Sequence, residues 1–386
     1  MKKIFLVAAA ALCAGLFTVT ASYAQYKYEF TTVKNNPATA VKDQANTGTC
    51  WCFATVSFLE SEAIKKGTAD TTLDLSEMYI VRCNYIRRLE DDYYRRGKGN
   101  TGPGGVGHQA LWVMDHYGLM PESAYHGINY GMDHHDHSKL QASLDSLMDV
   151  AVKEKAGMPY DQVNAILDKY LGAVPESFEY KGKTYTAQSF RDMLGLKGSD
   201  YIEITSFSHH PFYAPAPLEI PDNFDHYLYF NIPIDDMVSV MNFAINKGYT
   251  IGWDADMSET YFAHRNHIAV FAPGENIRAA KDIKARYVEQ PINQDIREKM
   301  FMDYTTSDDH LMHITGIAKD KEGVQYFIVK NSWGKVPGYN EDGYDDASVS
   351  YIKAKTISIM VNKNAVPKEL VNKGLYTMLS NQLKVK

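Results

Sequence analysis

The order of its secondary-structure signals constrains this chain most. Helical spacing of apolar residues dominates residues 50–118, and strand patterns dominate the last third. Helices gathered early and strands gathered late fit an α+β layout, not the alternation that builds a parallel sheet. A first helix is predicted over 50–66, with hydroxyls at Thr47 and Thr49 to cap it and Lys65, Lys66 and Gly67 to end it. A second spans 74–96 and a third 108–118, separated by the glycine-rich loop 97–107. Across 127–235 the character shifts. "DHHDH" at 133–137 and "SHHPFYAPAPLEIPD" at 208–222 read as exposed loops, with short helices at 161–172 and 187–195 between them. A capped amphipathic helix at 233–248 precedes strands at 249–256, 313–320, 324–334 and 356–362, and "DKEG" at 320–323 suits a hairpin turn. The segment from Pro367 onward reads as a further amphipathic helix.

The N-terminus reads as a separate unit. "MKK" is a basic start, "IFLVAAAALCAGLF" an apolar run, and Ser22 and Ala24 are the small residues expected before a cut after Ala24. The run is short for a bilayer span, so a cleaved secretory leader over 1–24 is favoured over a membrane anchor. A lipid attachment at Cys13 is disfavoured by bulky Leu12. The expected location is therefore export, to a periplasm or outside the cell, with no stable membrane insertion once the leader is gone. The formal charge of -7 becomes more negative by two without Lys2 and Lys3. With no basic run, nucleic acid is excluded as a partner. Three cysteines remain after Cys13: Cys50, Cys52 and Cys83. An odd number in an exported chain leaves a thiol unpaired, or paired between chains.

The stretch "QANTGTCWCFA" at 44–54 carries the chemistry. A dithiol redox motif has two residues between its cysteines. Here there is one, and a rotation of about 100° per helical residue points Cys50 and Cys52 apart. A metal site would recruit the histidines of "MDHHDH" at 132–137, but no matching ligand pair lies nearby, and a solvated loop is the better reading. "GPGGVG" at 102–107 fits a dinucleotide-loop pattern, yet the charged stretch before it is no strand, so nucleotide binding is rejected. No cofactor is expected.

A nucleophile remains. Cys50 at a helix start meets the positive end of the helix dipole, which favours thiolate. It needs a histidine to move protons and a group to orient that histidine. His313 precedes an apolar strand and Asn331 ends the next, so a hairpin brings them close. Trp333 can cover their hydrogen bond, and Gln44 can offer its amide to a developing oxyanion beside the Cys50 N–H.

"QANTGTCWCFA", Gly104–Gly105, His313 and "NSWG" at 331–334 together resemble the papain-like cysteine peptidases. In papain-type chains the histidine and asparagine lie about 130–150 residues after the cysteine. Here they lie much farther on, as in the bleomycin hydrolase and aminopeptidase C subfamily. "GGVGHQALWVMDHYGLMPESAY", "FNIPIDDMVSVMNFAINKGYTIGWDADM" and "SIMVNKNAVPKEL" are also similar to that subfamily. The resemblance implies a two-lobed papain-like peptidase domain over 25–386. Its parts are a helical lobe (44–126), a large insertion (127–235), a β-rich lobe (236–365) and a C-terminal tail (366–386).

It implies Cys50 as nucleophile, His313 as general acid/base, Asn331 as its orienter and Gln44 as oxyanion donor. Gly104 and Gly105 would line the substrate groove. His310 is the competing histidine. It further implies peptide substrates, release of N-terminal residues through an acyl-enzyme, and a hexameric homo-oligomer. The tail after Pro367 does not resemble the subfamily's arm, and Val106 stands where relatives tend to have Gln. An endopeptidase with an open cleft, a silent peptide-binding protein and a metal-scavenging protein stay open as alternatives. Cys52 is expected to be a buried apolar residue, with a Cys52–Cys83 disulfide as a minority expectation.

Overall fold

The computed structural model describes residues 26–281, 283 and 285–375. The leader expected over 1–24 and the end of the tail lie outside them. Among the described residues no helix is long and apolar enough to cross a membrane.

Three helices form the early layer: α1 (Cys50–Lys66), α2 (Glu77–Tyr94) and α3 (Gly107–Tyr117). Every residue of α1 from Cys50 to Ala63 is buried, as an almost uncharged run requires. Its two acids are answered. Glu60 accepts from Thr39 and from the Leu75 N–H, and Glu62 accepts from Asn362 Nδ2 at 2.6 Å. Gly67 closes α1 in the left-handed conformation (φ 75°), where its N–H reaches Ala63 and Ile64 carbonyls. The Thr49 hydroxyl does not cap α1. It bonds Thr47 Oγ1 at 2.5 Å, while the Thr49 carbonyl takes the Cys52 and Phe53 N–H groups.

The segment 127–235 is not a separate body. Its helices α4 (Ser138–Glu154), α5 (Tyr160–Leu171) and α6 (Ala187–Leu194) place Leu144, Leu167 and Phe190 in one core with Phe58 of α1. The hairpin β2 (Phe178–Tyr180)–β3 (Lys183–Tyr185) sits beside them. Helix α4 was not expected from the sequence, although Leu140, Leu144, Met148 and Ala151 give it a buried stripe. The "DHHDH" loop is only partly solvated. His134 is exposed, but His137 is buried against Tyr85. Farther on, β4 (Tyr201–Thr205), β5 (Ala214–Pro217) and β6 (Leu228–Asn231) join the main sheet.

That sheet belongs to the late half of the chain. Helix α7 (Ile234–Asn246) leads into β7 (Ile251–Ala255). Short strands β8 (Phe262–Ala263) and β9 (Ile268–Ala269) and helix α8 (Gln294–Met302) follow. Then come β10 (His310–Asp320), β11 (Gln325–Lys330), β12 (Tyr344–Ser348), α9 (Val349–Lys355) and β13 (Thr356–Asn362). The order is β5-β6-β4-β13-β7-β10-β11-β12-β9-β8, and β1 (Phe30–Asn35) pairs with the far half of β10. Trp253, Phe262, Phe327 and Tyr351 fill the core of this half. Gly323 (φ 83°) turns the β10–β11 hairpin, its N–H on the Asp320 carbonyl. The amphipathic helix expected from Pro367 onward lies largely outside the described residues, and its described part holds one short helix, Lys368–Leu370, and a single wide turn, Val371–Leu375.

Candidate active site

Cys50 opens α1 and is nearly enclosed. Burial pushes its thiol up to about 12. The N–H groups of Leu311 and Trp51, both aimed at the sulfur, pull the other way, and the charges of Asp308 and Asp254 add to the rise. An isolated thiolate is therefore unfavourable here, and ionisation needs a proton acceptor beside it.

His310 is placed for that role. As the first residue of β10 it adjoins Leu311, whose N–H touches the Cys50 sulfur. Its Nε2 donates to Asn331 Oδ1 at 2.9 Å, and its ring stacks on Trp333 with centroids 4.8 Å apart. The Asn331 amide is fixed from both ends. Oδ1 also accepts from the Ser332 N–H at 2.8 Å, and Nδ2 donates to Asp345 Oδ2 at 3.2 Å. This arrangement puts the hydrogen of neutral His310 on Nε2 and the lone pair on Nδ1. Burial lowers His310 to about 4, against the opposing pull of its bond to Asn331 and the charge of Asp345.

His313, expected as the acid/base, does not meet Asn331. Strand β10 begins three residues earlier than expected, so His313 lies inside it, and residues an odd number apart point to opposite faces. Its Nδ1 bonds Ser57 Oγ at 2.9 Å, its ring abuts Phe58, and it sits opposite Lys330 in the β10–β11 register. Lys330 Nζ donates to Ser57 Oγ at 2.7 Å and to Thr39 Oγ1 at 3.2 Å. Burial and the Lys330 charge hold His313 well below its ordinary value. His313 thus belongs to a polar seam between α1 and the sheet. The apolar pair Leu311–Met312, which extends the strand back to His310, was the sequence signal that could have shown this.

Gln44 stands where the sequence placed it, beside the start of α1. Its N–H donates to the Ser332 carbonyl at 2.9 Å, Oε1 accepts from Ser332 Oγ at 2.7 Å, and Nε2 donates to the Thr47 carbonyl at 2.8 Å. One amide hydrogen remains unspent. Gly104 and Gly105 lie against the start of α1. Trp51 Nε1 donates to the Pro103 carbonyl at 3.1 Å, and a Cβ on Gly105 would sit 2.9 Å from the Trp51 ring. Arg88 Nη1 donates to the carbonyls of Gly102 and Gly104.

All three described cysteines are free thiols. The Cys52–Cys83 disulfide is absent, and Cys52 Sγ instead donates to the Glu77 carbonyl at 3.3 Å. Among the described residues, the side chains grouped closely enough to share a metal are His209 and His210, in the loop after β4, and Glu219, just after β5, not the histidines of 132–137.

Two family models match the chain. "Papain family cysteine protease" covers residues 26–191, and "Peptidase C1-like family" covers 179–383. Cysteine proteinase 1 of Entamoeba histolytica is 28% identical over 156 residues, 40% of this chain and 46% of its own length. The chain thus spans about half the length of that curated relative. A viral cathepsin of Choristoneura fumiferana defective polyhedrosis virus is 41% identical over 59 residues, 15% of this chain and 17% of its own. The solved structure of PepW from Lactobacillus rhamnosis HN001 superposes with a TM-score of 0.68 at 17% identity, covering 92% of this chain and 86% of that one. With a family model across more than half of its length and a papain-type fold, the chain belongs to the Peptidase C1-like family.

Proposed function

We propose that the protein is a thiol-dependent peptidase that cleaves peptide bonds through a thioester at Cys50. The observation that carries this is the 2.9 Å bond from His310 Nε2 to Asn331 Oδ1 under Trp333, next to the Leu311 N–H that reaches the Cys50 sulfur. With Nε2 committed to Asn331, His310 Nδ1 takes the thiol proton. Burial opposes each charge alone, so thiolate and imidazolium form together as a pair. The sulfur adds to the substrate carbonyl, and the His310 proton passes to the departing amine. Water, losing its proton to His310, then releases the acyl group. The Cys50 N–H and the spare Gln44 amide hydrogen serve the oxyanion.

Release of N-terminal residues from peptides is the leading form. It rests on the resemblance to the bleomycin hydrolase and aminopeptidase C subfamily. The test compares a fluorogenic aminoacyl amide with an N-blocked peptide amide under reducing conditions, in wild type and Cys50→Ala. Cleavage of the free-amine substrate alone, lost in the variant, supports an aminopeptidase. Cleavage of the blocked peptide makes it an endopeptidase. No Cys50-dependent cleavage of either would leave a peptide-binding protein.

A further inference from the structure

Strand β7 carries a carboxyl beside the nucleophile. Asp254 pairs in register with Leu311 on one side and Ser358 on the other, and the Leu311 N–H touches the Cys50 sulfur. Asp254 is 2% exposed. Its Oδ2 accepts from Ser358 Oγ at 3.4 Å, and its Oδ1 finds no N–H or O–H donor among the described residues. What faces it is the Asp308 carboxyl, two residues before His310, in a carboxyl-to-carboxyl hydrogen bond. Two carboxyls so placed must hold a proton between them, or find a cation.

The protein supplies no cation to this pair. Neighbouring acids have partners: His108 lies between Glu203 at 2.7 Å and Asp225 at 2.8 Å, and Arg87 reaches Asp225 at 2.6 Å. Asp222, held by Asn100 Nδ2 at 2.9 Å and met by Arg88 at 3.5 Å, packs against Gly104 so closely that a Cβ there would overlap its carboxylate. No ion pair involves Asp254 or Asp308 among the described residues. The unmatched acidity therefore lies between the strand that carries His310 and the glycine pair of the groove.

We propose that the cleft beside Cys50 contains a subsite for a cationic group of the substrate, an ammonium or guanidinium, received by Asp254 and Asp308 with Asp222 at its edge. The cation replaces the shared proton and turns a desolvated carboxyl pair into a matched ion pair. The shared chemistry has two sources, the free N-terminal ammonium of a peptide or a Lys or Arg side chain. The inference rests on the peptidase reading, and its test separates the two.

Wild type, Asp254→Asn and Asp308→Asn are each assayed on two substrate pairs. One pair is a dipeptidyl fluorogenic amide with a free or an acetylated N-terminus. The other is an N-blocked dipeptidyl amide with arginine or neutral citrulline as its first residue. Wild type is expected to prefer the cationic member of at least one pair by at least about tenfold in kcat/KM, and both variants to lose most of that preference. Cleavage of the neutral substrates reports that each variant is folded. Cleavage with no preference in either pair, or a preference that survives both variants, overturns the subsite and leaves the peptidase reading intact. If nothing is cleaved, the peptidase reading fails, and calorimetric binding of the same four ligands to Cys50→Ala still decides the subsite. Tighter binding of a cationic ligand, lost in Cys50→Ala/Asp254→Asn, supports it, and equal binding overturns it.

Discussion

Replacing His108 by glutamine should remove a pH-dependent clamp on the loop that carries Asp222. His108 is fully enclosed. Nδ1 meets Glu203 Oε2 at 2.7 Å, Nε2 meets Asp225 Oδ1 at 2.8 Å, and the ring stacks on Tyr227. Burial works against its positive form, but the two carboxylates overcome that and raise it from 6.5 to about 9. At about 1.4 kcal/mol for each tenfold change in proton affinity, this corresponds to about 3 kcal/mol. The pKa is raised in the folded protein, so this stability is fully present below pH 6.5. It is lost as pH rises through about 9. Urea unfolding at pH 6, 7.5 and 9.5 should show wild type ahead of His108→Gln by about 3 kcal/mol at pH 6, with the gap closing by pH 9.5. A gap that is constant or widens with pH would refute the reasoning.

Other substitutions read other parts of the structure. Trp333→Ala opens the His310–Asn331 bond to water, so His310 should rise from about 4 toward its ordinary value. The acid limb of the pH profile of kcat/KM should then move to higher pH, with activity about tenfold lower or worse. Gly105→Ala forces a Cβ to 2.7 Å from Gln109 Oε1 and 2.9 Å from the Trp51 ring. Thermal denaturation should report a loss of about 1–3 kcal/mol, with a raised KM. Cys52→Ala removes a buried thiol and its bond to the Glu77 carbonyl, costing about 1–2 kcal/mol while Cys50 alkylation is unchanged. Thiol titration of the unfolded, unreduced chain should find Cys52 and Cys83 both free.

The local features were legible wherever one short stretch decides the outcome. Helix α1 runs from Cys50 to Lys66, the bounds expected from its apolar run and terminal Gly67. Asn331 and Trp333 meet a histidine at the end of a hairpin, as the "NSWG" turn implied. The identity of that histidine was not legible from a motif alone. His310 and His313 flank Leu311–Met312, and only the true start of β10 decides which of them faces Asn331. The merger of 127–235 with both halves was also hidden, because β4 joins the sheet only by pairing with β13, far along the chain from it. The carboxyl pair depends on register too. Asp254 and Asp308 are ordinary acids in sequence and become neighbours only when β7 pairs with β10.

The central claim is that His310, not His313, carries the proton for Cys50. Its most direct test is the rate of Cys50 alkylation by iodoacetamide from pH 5 to 10, read by mass spectrometry of the Cys50 peptide. Wild type, His310→Ala and His313→Ala are compared. Without His310 the thiol should titrate alone near 12, leaving about one part in 10⁵ ionised at pH 7. The account predicts that His310→Ala loses neutral-pH reactivity while His313→Ala keeps the wild-type profile. Loss of reactivity in His313→Ala with a wild-type profile in His310→Ala would contradict it.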